Sequence, residues 1–223
     1  MEKQMRDKKL VVLGALMAGL LWINAQPVLA QVDPCSAPKP ACGSTGFWAL
    51  TLAVQPDKKV IAGGYSNYGT VASPLYEFAL VRYNKDGKTL DPTFGHGGKV
   101  TTAIGTFDDK VFALAIQKDG KVIAGGHSHK GGQYEFALVR YNKDGSLDSS
   151  FGTGGIVTTT IGTSYEEGTL TLAIQPDGKL IVAGRSHTGS QYEFALARYN
   201  ADGSLDQAFG GTGVARAFAT RQK

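Results

Sequence analysis

"LAIQPDGKLIVAG", residues 172–184, consists of two short apolar runs separated by a Pro-Asp-Gly turn. The same pattern occurs as "LAIQKDGKVIAGG" at 114–126 and as "LAVQPDKKVIAGG" at 52–64. Two alternating apolar runs around such a turn predict a β-hairpin whose third turn residue is left-handed and favours glycine. Lys58 stands at that position in the first copy. A side chain there is expected to cost up to about 1 kcal/mol of stability.

The hairpin belongs to a longer repeat, because Arg82, Arg140 and Arg198 follow one another at intervals of 58 residues. In the second copy the hairpin is followed by an apolar run, "YEFALVRY", then by the turn "NKDGSLDSSFGTGG" and by the Thr-rich segment "IVTTTIG". The second and third segments are apolar on both faces, which is typical of strands that lie between two packed layers. The Thr-rich segment suits a partly exposed edge strand. Each repeat is therefore predicted to form four antiparallel strands.

Three four-stranded repeats of about 58 residues with two buried faces predict an all-β fold, a β-propeller-like array. A β-trefoil, which also has three four-stranded repeats, is the alternative, but it does not bury both faces of each sheet. Propellers usually close with four to eight blades. Three repeats therefore leave three arrangements open: a homodimer that completes a six-bladed ring, an open array, or a part of something longer.

The combination "LAIQPDGKLIVAG…FALARYNADGSLDQAFGGTG" resembles the delta-60 repeat, a bacterial family. The resemblance extends over about residues 49–214, and two separate motifs recur in it in fixed order. It implies a propeller-like fold. It implies no particular activity, because none is assigned to that family.

Residues 1–30 have the pattern of an export signal. A basic segment precedes the apolar run Leu10–Ala25, and small residues lead to a cleavage site after Ala30. The apolar run is 16 residues long, short of the roughly 20 that span a bilayer, so we predict cleavage. A retained anchor is the alternative. The predicted location is secreted or periplasmic.

The rest of the chain divides into a short tail and a repeat domain. Residues 31–47 contain Cys35 and Cys42, which we predict to form a local disulfide in an oxidising compartment. The predicted domain is 48–223, with repeats at about 48–107, 108–167 and 168–223.

The charge is low and dispersed. The net charge is +4 for the full chain, and it falls to +2 without residues 1–30, which hold four basic and two acidic residues. No basic stripe remains of the kind that binds nucleic acid, so we exclude that class of partner.

Each repeated arginine is followed by an aspartate, which suggests either a catalytic pair or a structural ion pair. We favour a structural pair, because a buried guanidinium needs a partner and a catalytic pair in triplicate would be unusual. Glu77, Glu135 and Glu193 are competing partners. The predicted pairs are Arg82 with Asp91, Arg140 with Asp148, and Arg198 with Asp206.

Two segments resemble metal sites, one for calcium and one for zinc, but neither has a complete set of ligands. The turn around Asn142 and Asp144 resembles a calcium loop, but Arg140 and Phe151 stand where its first and last carboxylates belong. These turn residues are expected to bond their own backbone instead. The paired histidines of "GHSHKGG" suggest zinc, but no Cys or paired carboxylate completes a ligand set. We therefore predict no cofactor, with calcium as the alternative.

The segment between the second and third strands varies most between repeats. We predict it to be a loop in each copy, so that the three loops form one rim, and we take that rim as the candidate binding surface. A protein or a surface glycan is the expected ligand. The candidate residues are Tyr65, Tyr68, His127, His129, Arg185 and His187.

No catalytic set can be assembled from the sequence. The acidic pairs Asp108–Asp109 and Glu166–Glu167 are interpreted as solvated turns, because neighbouring residues on a strand point to opposite faces. We favour a non-enzymatic binding or scaffold module. The alternative is a hydrolase or lyase that uses a central pocket, as some propellers do.

Overall fold

The structure, a computed structural model, describes residues 46–70, 73–162, 170–187 and 191–217. The predicted export signal and the predicted disulfide between Cys35 and Cys42 lie outside these residues. Within the described ranges, no helix has the length and apolarity needed to cross a membrane.

Twelve strands form three four-stranded units, which we call blades 1, 2 and 3. Blade 1 contains β1 (Phe47–Val54), β2 (Val60–Asn67), β3 (Tyr76–Tyr83) and β4 (Lys99–Thr102). Blade 2 contains β5 (Lys110–Ile116), β6 (Val122–Lys130), β7 (Gln133–Tyr141) and β8 (Ile156–Thr159). Blade 3 contains β9 (Thr171–Ile174), β10 (Leu180–His187), β11 (Tyr192–Tyr199) and β12 (Val214–Ala217).

Each blade is a separate antiparallel sheet whose strands pair in chain order. In each blade the fourth strand lies at one edge of the sheet and the first strand at the other. The fourth strand contains two threonines in blades 1 and 2 and none in blade 3. This arrangement confirms the all-β, propeller-like array of three repeats. It excludes the β-trefoil, because every repeat forms a sheet of its own.

The first hairpin of each blade has the three-residue turn that the sequence predicts. In blade 3 the amide of Gly178 donates to the carbonyl of Gln175 at 2.9 Å. Gly178 has φ = 86° and Gly120, its equivalent in blade 2, has φ = 85°. Lys58 adopts the same left-handed conformation, with φ = 69°, although it carries a Cβ. The backbone of the first copy therefore keeps a geometry that its side chain disfavours.

The hydrophobic core lies between the blades. Phe78 and Leu80 of blade 1 pack with Val122 and Tyr141 of blade 2, and all four are fully buried. An equivalent cluster fills the junction between blades 2 and 3. The core is therefore formed by stacking one sheet on the next, which is why the middle strands are apolar on both faces.

Candidate functional site

The two ends of the strands carry different chemistry. At one end, which we call the turn end, lie the Asp-Gly hairpins and the ion pairs of Arg82, Arg140 and Arg198. At the other, which we call the aromatic end, β2, β6 and β10 finish and β3, β7 and β11 begin.

At the turn end, each blade contains a three-residue ion cluster. In blade 2, the Nε of Arg140 lies 2.6 Å from Oδ2 of Asp148, and the Nζ of Lys121 lies 2.7 Å from the same oxygen. The guanidinium also stacks on Phe151, 4.6 Å from the ring centroid. Blade 1 has the same arrangement with Lys59, Asp91 and Arg82, and blade 3 has it with Lys179, Asp206 and Arg198.

Hydrogen bonds to the ionised form keep these carboxylates charged. The bond from Lys121 is the main cause that lowers the pKa of Asp148 well below its usual range. Burial raises the pKa of Asp91, but the bonds from Lys59 and Thr93 outweigh it, and the net direction is again down. Donors thus occupy both oxygens of Asp91, Asp148 and Asp206, which favours the ionised form of each.

The arginines also join each blade to the next one. Nη1 of Arg82 donates to the carbonyl of Lys143 in blade 2 at 2.5 Å, and Nη1 of Arg140 donates to the carbonyl of Ala201 in blade 3 at 2.6 Å. The arrangement supports a structural role. The sequence pointed to the arginines and aspartates, but it did not reveal the lysines, although a lysine follows the turn in every repeat.

At the aromatic end, five of the six candidate residues lie in strands rather than in the predicted loops, and Tyr68 lies between β2 and β3. Tyr65 lies in β2, His127 and His129 lie in β6, and the third copy's candidates lie in β10. Strand pairing continues past the glycines because glycine has no side chain and lets the neighbouring backbone approach: a Cβ on Gly126 would stand 1.8 Å from the carbonyl oxygen of Lys110. Among these candidates, His127 is only 3% exposed and cannot form a rim.

In blade 1 the aromatic end is a ring stack. Trp48 lies parallel to Tyr65 with the ring centroids 5.1 Å apart, and Tyr76 meets Tyr65 edge-on at 4.9 Å. Lys110, from blade 2, places its Nζ 4.8 Å from the centre of the Tyr76 ring. A cation from blade 2 thus contacts two rings of the aromatic group in blade 1, Tyr65 and Tyr76.

In blade 2 the two histidines pack on a shared tyrosine. The ring of Tyr134 lies 4.6 Å from His127 and 4.9 Å from His129. The Tyr134 hydroxyl donates to Asp108 at 3.0 Å, and Asp108 lies 3.2 Å from the Nζ of Lys110. No group of three potential metal ligands occurs in the part of the chain that the structure describes.

Blade 3 repeats the plan with different partners. The guanidinium of Arg185 lies 5.1 Å from the centre of the Tyr192 ring, and His187 lies 4.7 Å from the same ring. Tyr76, Tyr134 and Tyr192 are therefore a common element, and the residues around them change from blade to blade. Sequence reasoning missed these tyrosines because their presence in every copy marked them as scaffold.

The aromatic end is also the part of the surface where aromatic side chains are exposed. Tyr68, a predicted rim residue that follows β2 directly, is 47% exposed. Trp48, Phe107 and Tyr192 are 43%, 56% and 45% exposed, and Phe194, two residues into β11 from Tyr192, is 63% exposed. At the turn end, within the described ranges, the exposed large apolar side chains include Val54 and Leu147, at 61% and 38%, and neither is aromatic.

One acidic pair differs from the interpretation as a solvated turn. Asp109 is 1% exposed, and its carboxylate accepts hydrogen bonds from the amides of Ile104 and Gly105. It therefore fixes the segment that joins blades 1 and 2. The prediction failed because the sequence did not show that these amides turn inward. Glu166 and Glu167 lie outside the described residues.

The turn that resembles a calcium loop bonds its own backbone. Asp144 accepts from the amide of Ser146 at 3.0 Å and from its hydroxyl at 2.6 Å. These two bonds lower the pKa of Asp144. The arrangement is the Asx-type turn that the sequence predicts.

Comparison with protein-family models gives one match. Three segments, residues 55–94, 117–151 and 175–209, match a domain of unknown function that is described as a β-propeller (DUF5122). Each segment begins at the glutamine that directly follows the first strand of a blade, and it extends into the turn after the third strand of that blade. No curated protein matches the chain.

Proposed function

The repeats of this chain are those of a β-propeller domain of unknown function, and from that premise we propose that it is a non-enzymatic binding module for a surface glycan. The repeats also have the two motifs by which they resemble the delta-60 repeat, and we propose that they are of that kind. Fold alone assigns no function, so the proposal depends on the surface.

The observation that carries the proposal is that Trp48, Tyr68, Phe107 and Tyr192, each more than 40% exposed, all lie at the aromatic end. Exposed apolar side chains that gather in one region mark interaction sites more often than scattered ones do. Aromatic rings have electron-rich faces, on which the C–H face of a sugar ring can pack. Tyr and Trp also add a hydrogen-bonding group beside the apolar face.

Polar groups beside these rings would supply orientation. Arg185 is exposed, and His187 is partly exposed beside the same tyrosine. Binding sites of this type combine apolar contact area with a few fixed polar groups. Because the partners of the common tyrosine differ between blades, each blade would contact a different part of an extended ligand.

The proposal is tested with a glycan array followed by titration with the strongest binder. We expect Trp48→Ala and Tyr68→Ala to weaken binding at least tenfold. Leu147→Ala, an exposed apolar change at the turn end, is the matched control and should bind like the unmodified chain. Equal binding by all four proteins would contradict the proposal, and capture of proteins with no glycan signal would assign the surface to a protein ligand.

We also propose that the protein acts outside the cytoplasm, in the periplasm or after secretion. The support is the basic segment, the apolar run and the small residues at the start of the chain. Cell fractionation followed by N-terminal sequencing is the test. A protein that begins at Gln31 is expected, and a retained N-terminus in the cytoplasmic fraction would contradict export.

A further inference from the structure

The two junctions between blades are built from equivalent residues. Blade 1 meets blade 2 through Phe78 on one side and through Leu114 and Ile116 on the other. Blade 2 meets blade 3 through Phe136, Leu172 and Ile174, which stand at the same positions of the repeat. Each blade thus has a following face, which packs on the next blade, and a preceding face, which packs on the blade before.

The following face of blade 3 has the same residues, but none of the three described blades packs on it. Phe194 corresponds to Phe78 and Phe136, which are 0% and 7% exposed, yet Phe194 is 63% exposed. A phenylalanine that is buried in two copies and exposed in the third is a part of an unfilled junction. Burial of an apolar side chain of this size against another sheet would stabilise the contact.

The preceding face of blade 1 is open in the same way along its first strand. Leu52 and Val54 are 59% and 61% exposed. Their equivalents in blade 2, Leu114 and Ile116, are partly buried against blade 1. The two open faces are thus the two halves of one junction, which occurs complete twice within the chain.

The polar groups of the two open faces are complementary as well. At each complete junction an arginine Nη1 donates to a turn carbonyl of the next blade, and a glycine amide donates to the carbonyl after it: Gly95 to Asp144, and Gly152 to Asp202. In blade 3 the corresponding donors are Arg198 and Gly210. The side chain of Arg198 is 24% exposed, whereas those of Arg82 and Arg140 are 6% and 9% exposed.

The matching acceptors lie on blade 1. The turn that contains Lys85 and Asp86 is equivalent to the turns that receive these bonds in blades 2 and 3. Its backbone carbonyls are therefore positioned as acceptors for a preceding blade. Donors at one open face and acceptors at the other fit a head-to-tail contact between two copies of the chain.

We propose that blade 3 of one copy packs on blade 1 of a second copy, and blade 3 of the second on blade 1 of the first, which closes a six-bladed ring. A head-to-tail contact produces a closed ring when its rotation closes and a filament when it does not. Six blades fall within the four to eight of known propellers, and three do not. Two copies are thus the smallest number that buries both open faces.

The mass of the full chain in solution, measured by light scattering and native mass spectrometry, tests the proposal. A mass twice that of the polypeptide is expected. A head-to-tail dimer has two junctions between the copies. Leu52→Asp and Phe194→Asp each place a charge in both of them, so each variant should be a monomer. Phe107→Asp is the matched control, since Phe107 is 56% exposed but outside both faces, and it should remain a dimer.

Mixing the two variants separates a head-to-tail ring from a symmetric contact. A mixed dimer of Leu52→Asp and Phe194→Asp has one unmodified junction and one that carries both changes. We therefore expect mixed dimers to form, with weaker affinity than the unmodified chain. A monomeric unmodified chain, a dimeric Phe194→Asp, or a mixture without dimers would overturn the proposal, provided that the variants keep the circular dichroism spectrum of the unmodified chain.

Discussion

The turn end and the aromatic end of the blades are built on opposite plans. At the turn end, the same lysine, aspartate and arginine recur in every blade with nearly the same distances. At the aromatic end, the tyrosine at the start of the third strand recurs, but the side chains on its ring change: tyrosine and lysine in blade 1, two histidines in blade 2, and arginine and histidine in blade 3. The turn end, which joins the blades, is the same in every copy. The aromatic end differs between copies, so its side chains are free to serve another role.

The physical reason is the cost of burying charge. An arginine between two sheets loses its water and must recover that free energy from a carboxylate and from a carbonyl of the next blade. Any change at one of these positions leaves a buried group without a partner. The aromatic end contains exposed and half-buried rings. Their replacement removes little buried apolar surface, so these positions tolerate change.

The largest effect is expected for Arg140→Met. The change removes the ion pair with Asp148, the bond to the Ala201 carbonyl and the contact with Phe151, so it should cost about 3 kcal/mol of unfolding free energy. Urea denaturation measures it. Arg185→Met, an arginine at the aromatic end that is exposed, should cost less than about 1 kcal/mol. Equal costs for the two would remove the distinction between the ends.

The next effect concerns acid. The folded pKa of Asp148 lies below its unfolded value, so its contribution to stability is complete above about pH 4 and is lost as the pH falls through the folded pKa. The urea concentration at the midpoint of unfolding should therefore decrease as the pH is lowered below about 4. This decrease should be less steep in Asp148→Asn. Asp177→Asn, a change in an exposed turn, is the control. An unchanged slope in Asp148→Asn would contradict a stabilising role for its charge.

A smaller effect is expected for Lys58→Gly, because Lys58 is where the turn end departs from uniformity. Its φ of 69° suits glycine, so the change should raise the unfolding free energy by up to about 1 kcal/mol. The reverse change, Gly178→Lys, is the matched control and should lower it by a similar amount, since Gly178 has φ = 86° and open space around it. A lower melting temperature for Lys58→Gly would contradict the assigned strain.

The smallest effect on stability is expected at the aromatic end. Tyr68→Ala removes a side chain that is 47% exposed and lies beyond the end of β2, so the unfolding free energy should change by less than about 0.5 kcal/mol. Thermal denaturation measures it. A loss above about 1 kcal/mol would show that this residue supports the fold rather than a ligand.

Local patterns in the sequence were enough to predict several features. The Pro-Asp-Gly turn and the left-handed Lys58 follow from turn chemistry that involves three residues. The pairing of Arg140 with Asp148 follows because each buried charge needs a partner and the repeat offers the same candidate three times. The apolar middle strands predicted sheets that are covered on both faces.

Other features depend on contacts between distant segments and escaped prediction. Lys121, directly before β6, contacts Asp148 although the two are 27 positions apart, and sequence spacing does not show that they meet. His127 and His129 lie in a strand rather than in the predicted loop, because β6 continues to pair with β7 beyond Gly126 and variation between repeats does not show where pairing ends. Asp109 is buried rather than solvated, because the chain turns so that the amides of Ile104 and Gly105 donate to its carboxylate. The sequence does not show this turn.

The sequence by itself determined the number of blades, their strands and their turns, because these depend on periodicity and on local backbone preferences that the repeat states three times. Only the tertiary structure decided which faces are covered. Phe78, Phe136 and Phe194 stand at one position of the repeat, yet two are buried and one is exposed, since burial depends on whether another blade follows. A repeated sequence specifies a repeated surface, and the neighbours of each copy decide whether that surface becomes core or remains open for a partner.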